Sequence, residues 1–185
     1  MILSTSCNMN IREAKLEDAA AIAKVHVDSW QTTYRDLLPK DYIEKRTYEK
    51  RKNNWQNRLS SDRKAETSYC IYVAKNAEDR IVGFIDGGLA RGDSAIYKGE
   101  IYALYILEAY QRRGIGKSLV RSIASRLFQL GLTSIMVWVL EENPAIQFYQ
   151  ALGGQRINQR VIKIGGKKFL EIAYGWTDTQ NLITK

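Results

Sequence analysis

The segment Gln111-Arg-Arg-Gly-Ile-Gly116 combines the residue types that bind phosphate groups. The pattern predicts a turn that follows a strand and opens a helix, where glycines without Cβ atoms let a ligand approach the backbone closely. The first amides of such a helix have no partner within it and lie at the positive end of the helix dipole, which suits a pyrophosphate. Neither the spacing of a Walker A loop nor the third glycine of a dinucleotide fingerprint is present. For the glycines alone, an ordinary strand-to-helix turn is the alternative.

Positive charge is concentrated around this segment. The chain carries 28 basic and 20 acidic residues, a net charge of +8, and no acidic residue lies between positions 109 and 140. The basic residues of that stretch are Arg112, Arg113, Lys117, Arg121 and Arg126. Such a stretch suits a polyanionic partner, and composition leaves open whether that is a nucleic acid, a nucleotide cofactor or an anionic membrane.

The elements that must position this segment follow from the hydrophobic periodicity. The patterns predict strands at 9–13, 69–74, 81–86, 100–107, 134–140, 155–164 and 167–176, and helices at 19–30, 41–59, 114–130 and 144–152. Gly87-Gly88 predicts a bulge or bend, Gly92-Asp93 a loop and Gly165-Gly166 a two-residue hairpin turn. The order β-α-α-β-β-β-α-β-α-β-β predicts an α+β fold in which one helix crosses over between neighbouring strands.

Length and composition are those of one globular domain. With 185 residues, 45% apolar and 26% charged, the chain is long enough to bury a core without disulfides or metal. No apolar run approaches the roughly 18–20 residues that span a bilayer, and the N-terminus lacks a secretory signal pattern. Cys7 and Cys70 are therefore expected to be reduced thiols in a cytoplasmic protein. We expect residues 1–8 to form a disordered lead-in, 9–178 the single domain and 179–185 a tail.

The glycine segment and its surroundings resemble the GNAT superfamily of acyl-CoA-dependent N-acyltransferases. Residues 111–116 match the family motif Gln/Arg-x-x-Gly-x-Gly/Ala and are preceded by Leu104-Tyr-Ile106. Asn143-Pro-Ala-Ile-Gln-Phe-Tyr149 resembles the next block of the family, and the likeness extends from about residue 11 to 176. The resemblance implies the GNAT fold, a central mixed, mostly antiparallel twisted sheet of about six or seven strands flanked by about four helices.

The resemblance also implies acetyl-CoA as co-substrate, no metal, and roles for particular residues. The backbone of the strand before the loop would pair with the pantetheine arm, and the loop amides would hold the pyrophosphate. Asn143 matches a position whose side chain touches the cofactor. Tyr149 matches the tyrosine that commonly protonates the departing thiolate, with core packing beside Phe148 as its alternative. The implied cofactor-binding residues are Leu104, Tyr105, Ile106, Gln111, Arg112, Arg113, Gly114, Ile115, Gly116, Lys117, Ser118 and Asn143.

Acyl transfer to an amine also needs a proton acceptor, because a primary amine at neutral pH is mostly ammonium. Glu100 stands where several GNAT enzymes place a glutamate base, and a solvated carboxylate at a strand end is the alternative. The resemblance places the acceptor site between the loop that joins the first two helices and the final hairpin. We expect the first of these walls to consist of Trp30, Tyr34, Leu37 and Tyr42. Asp86, on the strand beside the cleft, is expected to attract a cationic amine, with a surface acid as its alternative. His26 lies on an apolar helix face and is expected to pack in the core.

The leading hypothesis is an N-acetyltransferase that moves an acetyl group from acetyl-CoA to a primary amine by direct attack in a ternary complex. The amine would belong to a small molecule, a protein N-terminus or a lysine. Two alternatives stay open, a non-catalytic acyl-CoA-binding sensor and a basic RNA- or ribosome-associated module. The latter predicts base-stacking aromatic residues among the cations, yet helix 114–130 has only Phe128. We expect no specific nucleic acid and no membrane partner, and the sequence leaves a homodimer, the acceptor and the acyl chain length open.

Overall fold

The structure, a computed structural model, describes residues 9–60, 68–92 and 95–184. Residues 1–8, predicted as a lead-in, Asp93 of the predicted loop and Lys185 of the predicted tail lie outside the described residues. The strands are Asn10–Glu13 (β1), Cys70–Lys75 (β2), Ile81–Leu89 (β3), Gly99–Ile106 (β4), Ile135–Leu140 (β5), Gln155–Ile164 (β6) and Lys167–Trp176 (β7).

These seven strands of the described chain form one sheet in the order β1-β2-β3-β4-β5-β7-β6. All neighbouring pairs are antiparallel except β4 and β5, which are parallel. The mixed, mostly antiparallel sheet is therefore confirmed. The predicted bulge is confirmed as a register shift between Asp86 and Gly87, and the hairpin turn at Gly165-Gly166 joins β6 to β7.

The helices lie on both faces of the sheet. They are Ala19–Thr33 (α1), Lys40–Glu44 (α2), Tyr48–Leu59 (α3), Ile115–Gln129 (α4), Ala145–Ala151 (α5) and Gln180–Ile183 (α6), with short 3-10 turns at Leu16–Asp18 and Glu108–Tyr110. The prediction of one helix over 41–59 is wrong, because residues 45–47 interrupt it. Thr47 is extended, and its hydroxyl accepts a hydrogen bond from the Lys50 amide (3.4 Å), so that it caps a new helix.

Two apolar layers hold the helices against the sheet. On one face α4 buries a stripe spaced by four residues, Leu119, Ile123 and Leu127. Full burial of each such side chain contributes about 1.5–3 kcal/mol. On the other face α1 and α3 pack Ile22 and Trp55 over β2 and β3.

His26 belongs to the second layer, as predicted. It is 8% exposed, and Trp55 Nε1 donates a hydrogen bond to its Nδ1 (3.3 Å). Burial, with the nearby charges of Arg46 and Arg58, lowers its pKa to about 3. The imidazole is therefore neutral at physiological pH.

Candidate active site

The site begins where the one parallel pair of the described sheet separates. β4 pairs with β5 only at three positions, from Gly99 opposite Ile135 to Ile101 opposite Val137. Beyond them β4 continues to Ile106 and β5 to Leu140, so that backbone groups on the facing edges lack ladder partners. The separation opens a cleft of about 980 Å³, lined by residues from both faces of the sheet.

The start of α4 forms one end of this cleft. The first hydrogen bond of the helix runs from the Ser118 amide to the Gly114 carbonyl (3.1 Å), which leaves the amides of residues 115–117 unused within the helix. Gly114 has a φ of +81°, and a Cβ atom there would meet nothing within 4 Å. Arg112 and Lys117 line the cleft beside these amides. Free amides, an open backbone and two cations suit a diphosphate group.

Three of the predicted loop residues lie outside the cleft lining. Arg113 places its guanidinium 5.3 Å from the centre of the Tyr110 ring. The Ser118 hydroxyl donates to the Gly114 carbonyl (3.3 Å), and Ile115 is 2% exposed in the core. Their side chains therefore stabilise the loop and the helix.

Gly116 lines the cleft, and its lack of a Cβ atom also makes room for a neighbouring side chain. A Cβ atom there would lie 3.1 Å from the Phe148 ring. Phe148 lines the cleft, so Gly116 shapes the site through it. Gln111 also lines the cleft, and its Nε2 donates to the Ile106 carbonyl (3.0 Å), which ties the loop to the end of β4.

A hydrogen-bonded chain of four side chains crosses the cleft. Trp30 Nε1 donates to the Tyr105 hydroxyl (2.8 Å), and the hydroxyls of Tyr105 and Tyr34 lie 3.4 Å apart. Asn143 Nδ2 donates to the Tyr34 hydroxyl (3.2 Å), while Asn143 Oδ1 accepts from the Ala145 amide (2.9 Å). All four side chains belong to residues that line the cleft. The sequence assigned two of them to the acceptor and two to the cofactor, and the structure brings them together.

Tyr149 contributes a hydroxyl that forms no hydrogen bond with any described residue. The residue lines the cleft from α5 and is 5% exposed. Its ring packs edge-on against Phe148 and Trp176, at centroid distances of 5.3 and 6.3 Å. Burial and the neighbouring Tyr34 raise the pKa of this phenol. The ring is thus fixed by packing, as the alternative reading expected, and its protonated hydroxyl remains free for a ligand.

The structure does not bring Glu100 into the cleft. Glu100 is 1% exposed, and its carboxylate accepts hydrogen bonds from the Arg91 amide (2.7 Å), Nε (3.1 Å) and Nη2 (2.5 Å). The expectation of an open base or a solvated carboxylate at this strand end is therefore corrected. The side chain is a buried partner of Arg91.

Asp86 is likewise absent from the cleft lining, and it is no surface acid. It is 0% exposed and accepts from the Tyr69 hydroxyl (2.6 Å) and Arg58 Nη1 (2.9 Å), while its Oδ1 has no partner among the described residues. Burial raises its pKa to about 6, although Tyr69 and Arg58 act in the opposite direction. The expectation that Asp86 attracts a cationic amine is corrected, because the carboxyl is paired with Arg58 and does not reach the cleft. Tyr102 is the residue of this cluster that lines the cleft. Its ring stacks on that of Tyr69 (5.9 Å between centroids), and the Arg91 guanidinium lies 4.4 Å from its centre.

Tyr42, expected at the acceptor wall, lines the cleft together with Trp30 and Tyr34. The sequence analysis did not identify three further lining residues on this side, Tyr102, Trp138 and Glu171. Glu171 pairs with Arg160 (2.7 Å), whose guanidinium lies 4.0 Å from the centre of the Trp138 ring. The sequence signals for Glu171 were an acid amid apolar residues and its place on the final hairpin. Its position opposite Leu140 on β5 follows only from the tertiary structure.

The cationic stretch of α4 is divided between two places. Arg112 and Lys117 lie at the cleft, whereas Arg121 Nε donates to the Ile183 carbonyl (2.6 Å) and so ties α6 to α4. Among the described residues no group of three or more His, Cys, Asp or Glu side chains could hold a metal ion. No helix in the described ranges has the length and apolar character needed to cross a bilayer.

The profile of the acetyltransferase (GNAT) family matches residues 27–153. This chain belongs to that family. The uncharacterized N-acetyltransferase YuaI of Bacillus subtilis (strain 168) is 39% identical over 176 residues, covering 95% of this chain and 97% of that protein. Spermidine N(1)-acetyltransferase of Thermoplasma acidophilum is 24% identical over 148 residues, covering 79% and 88%. The protein is thus a GNAT enzyme, an acyl-CoA-dependent acetyltransferase.

The fold of this GNAT enzyme is shared with solved structures. The crystal structure of PaiA N-acetyltransferase from Thermoplasma acidophilum in complex with coenzyme A superposes with a TM-score of 0.68 at 22% identity, covering 89% of this chain and 98% of that one. At this identity the likeness concerns the architecture. The roles of individual residues have to be argued from this chain's own geometry.

Proposed function

We propose that this GNAT enzyme transfers an acetyl group from acetyl-CoA to a primary amine by direct attack in a ternary complex. The opening between β4 and β5 carries the proposal. It joins a phosphate-binding helix start to an aromatic cavity built from α1, α2 and the strands. A thioester held along the opening and an amine entering from the aromatic side would meet at the unpaired edge of β4. The name of the spermidine acetyltransferase relative supports an amine as acceptor.

The cofactor end would bind acetyl-CoA mainly through backbone groups. The amides of residues 115–117 with Arg112 and Lys117 suit the pyrophosphate. The free edge of β4 at Leu104, Tyr105 and Ile106 would pair with the amide groups of the pantetheine arm, as an added strand does. The bound thioester supplies an activated acyl carbon. Backbone N–H groups of the same edge would polarise its carbonyl.

Tyr149 would donate the proton that the departing sulfur needs. A thiolate with a pKa near 8.5 leaves more easily at neutral pH when a positioned acid protonates it, which is typically worth about 10²–10⁴-fold. The raised pKa keeps the phenol protonated, and its hydroxyl has no competing partner among the described residues. The ring contacts hold the hydroxyl in place.

Proton removal from the amine is proposed to run to water at the acceptor side. Glu171 is a carboxylate that lines this side, and its negative charge favours a cationic amine although Arg160 partly neutralises it. Glu100 can serve as the base only in an arrangement in which Arg91 has released it, since Arg91 donates to both of its oxygens.

Turnover and binding together test this proposal. Wild-type protein is titrated with acetyl-CoA in a calorimeter and then assayed for thiol release with a panel containing spermidine, amino acids, lysyl peptides and free peptide N-termini. We expect binding and turnover of at least one amine, and Tyr149→Phe should lower kcat at least about tenfold with little change in acetyl-CoA affinity. Tyr174→Phe is the matched control, because this buried hydroxyl bonds to Gln150 Nε2 (3.2 Å) away from the cleft. Binding without turnover of any amine would support the sensor instead, and loss of activity in the control alone would refute the role of Tyr149.

A further inference from the structure

The side-chain network across the cleft contains one donor hydrogen more than it has acceptors. The indole of Trp30 is a donor only, and it occupies the Tyr105 oxygen. The Asn143 amide is oriented by the Ala145 N–H on its oxygen, so that its nitrogen donates to the Tyr34 oxygen. Between the two phenols only one hydrogen can lie on the line that joins the oxygens. The second phenolic hydrogen is left over.

That second hydrogen has no acceptor within the described part of the chain. The hydrogen bonds of the two hydroxyls are those to Trp30, to Asn143 and to each other. Buried phenolic O–H groups normally find a partner. Because Tyr34 and Tyr105 both line the cleft, this hydrogen is available to solvent or to a ligand that displaces the solvent.

The surroundings keep both phenols protonated and make the hydroxyl with the unused hydrogen a stronger hydrogen-bond donor. Burial is the main cause that raises the pKa of Tyr34 and of Tyr105, so both phenols are neutral at physiological pH. Each oxygen accepts a hydrogen bond, and a hydroxyl that accepts one becomes a better donor. The rings are also held by packing, with Trp30 and Tyr34 4.5 Å apart and His26 stacked on Tyr105 at 4.9 Å.

We infer that the Tyr34–Tyr105 pair, acting as one unit, donates a hydrogen bond to the acyl oxygen of the bound thioester. The inference rests on the proposed function, in which three polar atoms meet at the reacting centre. The amine nitrogen uses its lone pair to form the C–N bond and cannot accept, and the sulfur is served by Tyr149. The acyl oxygen is left, because its two lone pairs allow it to accept from a phenol as well as from a backbone N–H group of β4. It receives the carbonyl electron pair during attack and returns it as the C–S bond breaks, while the phenolic hydrogen stays on its own oxygen.

A double-substitution cycle tests whether the two phenols form one donor. Tyr34→Phe and Tyr105→Phe should each lower kcat about 10–100-fold, with the acetyl-CoA and CoA dissociation constants within about twofold of wild type. The double variant should be no more than about twofold slower than the slower single variant, because either substitution already breaks the unit. When Tyr149→Phe is combined with Tyr34→Phe, the fold-decreases in kcat of the two single variants should instead multiply, because the two hydroxyls act on different atoms.

The outcomes separate this inference from the proposed function. Wild-type kcat in both single variants, under conditions where chemistry limits the rate, overturns the inference, as do losses that multiply in the double variant. Failure of wild-type protein to acetylate any amine overturns the proposed function and this inference with it. If a phenylalanine variant does not fold, Asn143→Asp makes the same test with both phenols kept. Its carboxylate would accept the Tyr34 hydrogen, and the Tyr34 oxygen would then accept the Tyr105 hydrogen, so that neither phenol donates to the ligand. An unchanged kcat in that variant overturns the inference.

Discussion

Asn143 bonds to Tyr34 across the cleft, with 3.2 Å between the side-chain amide nitrogen and the phenol oxygen. Its amide oxygen accepts from the Ala145 backbone at the start of α5 (2.9 Å). One side chain therefore orients the phenol that follows α1 and also satisfies the first turn of the helix that carries Tyr149. Substitutions at this position separate those two tasks.

Asn143→Asp should lower kcat about tenfold while acetyl-CoA affinity stays within about threefold. One carboxylate oxygen can keep the bond to the Ala145 amide, and the other would accept the Tyr34 hydrogen, so that Tyr105 must donate to Tyr34. Steady-state kinetics and calorimetry measure the two quantities. Asn143→Ala is the comparison, because it removes both bonds and should also lower the free energy of unfolding by about 1 kcal/mol. Wild-type kcat in the aspartate variant would contradict this account of the network.

Gly114→Ala should weaken acetyl-CoA binding, and Gly131→Ala should not. Both glycines have a φ of +81° with nothing within 4 Å of an added Cβ atom, so both variants should lose about 1–2 kcal/mol of unfolding free energy from backbone strain. Only Gly114 precedes the free amides of α4, and Gly131 follows the other end of that helix. Urea unfolding gives the stabilities, and calorimetry gives the affinities. Equal affinities in the two variants would show that the diphosphate binds elsewhere.

Glu100→Gln should reduce stability without changing the pH dependence of the amine reaction. The carboxylate is buried and accepts hydrogen bonds from Arg91 at both oxygens. In the glutamine variant the side-chain NH₂ group would face the N–H donors of Arg91 without an acceptor, so the free energy of unfolding should fall by about 1–3 kcal/mol. The slope of log kcat/KM below the pKa of the amine should match wild type. Glu49→Gln, at an exposed position on α3, should alter neither quantity. A kcat/KM loss that grows as the pH falls would instead identify Glu100 as the base.

Asp86 should make the protein less stable as the pH rises from about 4 to 6. Its pKa is about 6 because burial outweighs Tyr69 and Arg58, so the folded protein keeps a proton that the unfolded chain has released. The effect of this carboxyl on the free energy of unfolding is no more than about 3 kcal/mol across that window. Asp86→Asn should therefore be more stable, relative to wild type, at pH 7 than at pH 4.

Asp18 supplies the control of opposite sign. Burial acts to raise its pKa, but hydrogen bonds from Arg12 and the Lys15 amide outweigh it and lower the pKa. The stability that this carboxylate contributes is present above its unfolded pKa and is lost as the pH falls through the folded value. Asp18→Asn should therefore lose more stability at pH 7 than at low pH. Urea unfolding measures the change in unfolding free energy of each variant, relative to wild type, as a function of pH. If this change followed the same pH dependence in both variants, the environment assigned to Asp86 would be refuted.

The sequence by itself determined the family and most of the order of the elements, and it predicted a phosphate-binding loop at the start of α4. These follow from local signals, such as apolar residues every second or every fourth position and glycines where the chain turns into and out of α4. The split between α2 and α3 was also locally encoded by the cap residue Thr47, but the charged residues around it carry almost no periodicity, and the break was missed.

Only the tertiary structure decided which polar side chains line the cleft. Asn143 and Tyr34 are 109 positions apart and meet because β4 and β5 separate beyond Ile101. Glu100 and Asp86 looked available in the sequence, yet Arg91 and Arg58, which come from other elements, cover them inside the fold. Burial and hydrogen-bond partners depend on which distant residues arrive at the same place. Local patterning carries no information about those distant partners. It therefore indicated the glycine-rich start of α4 and part of the acceptor wall, but not the partners that decide the proton chemistry.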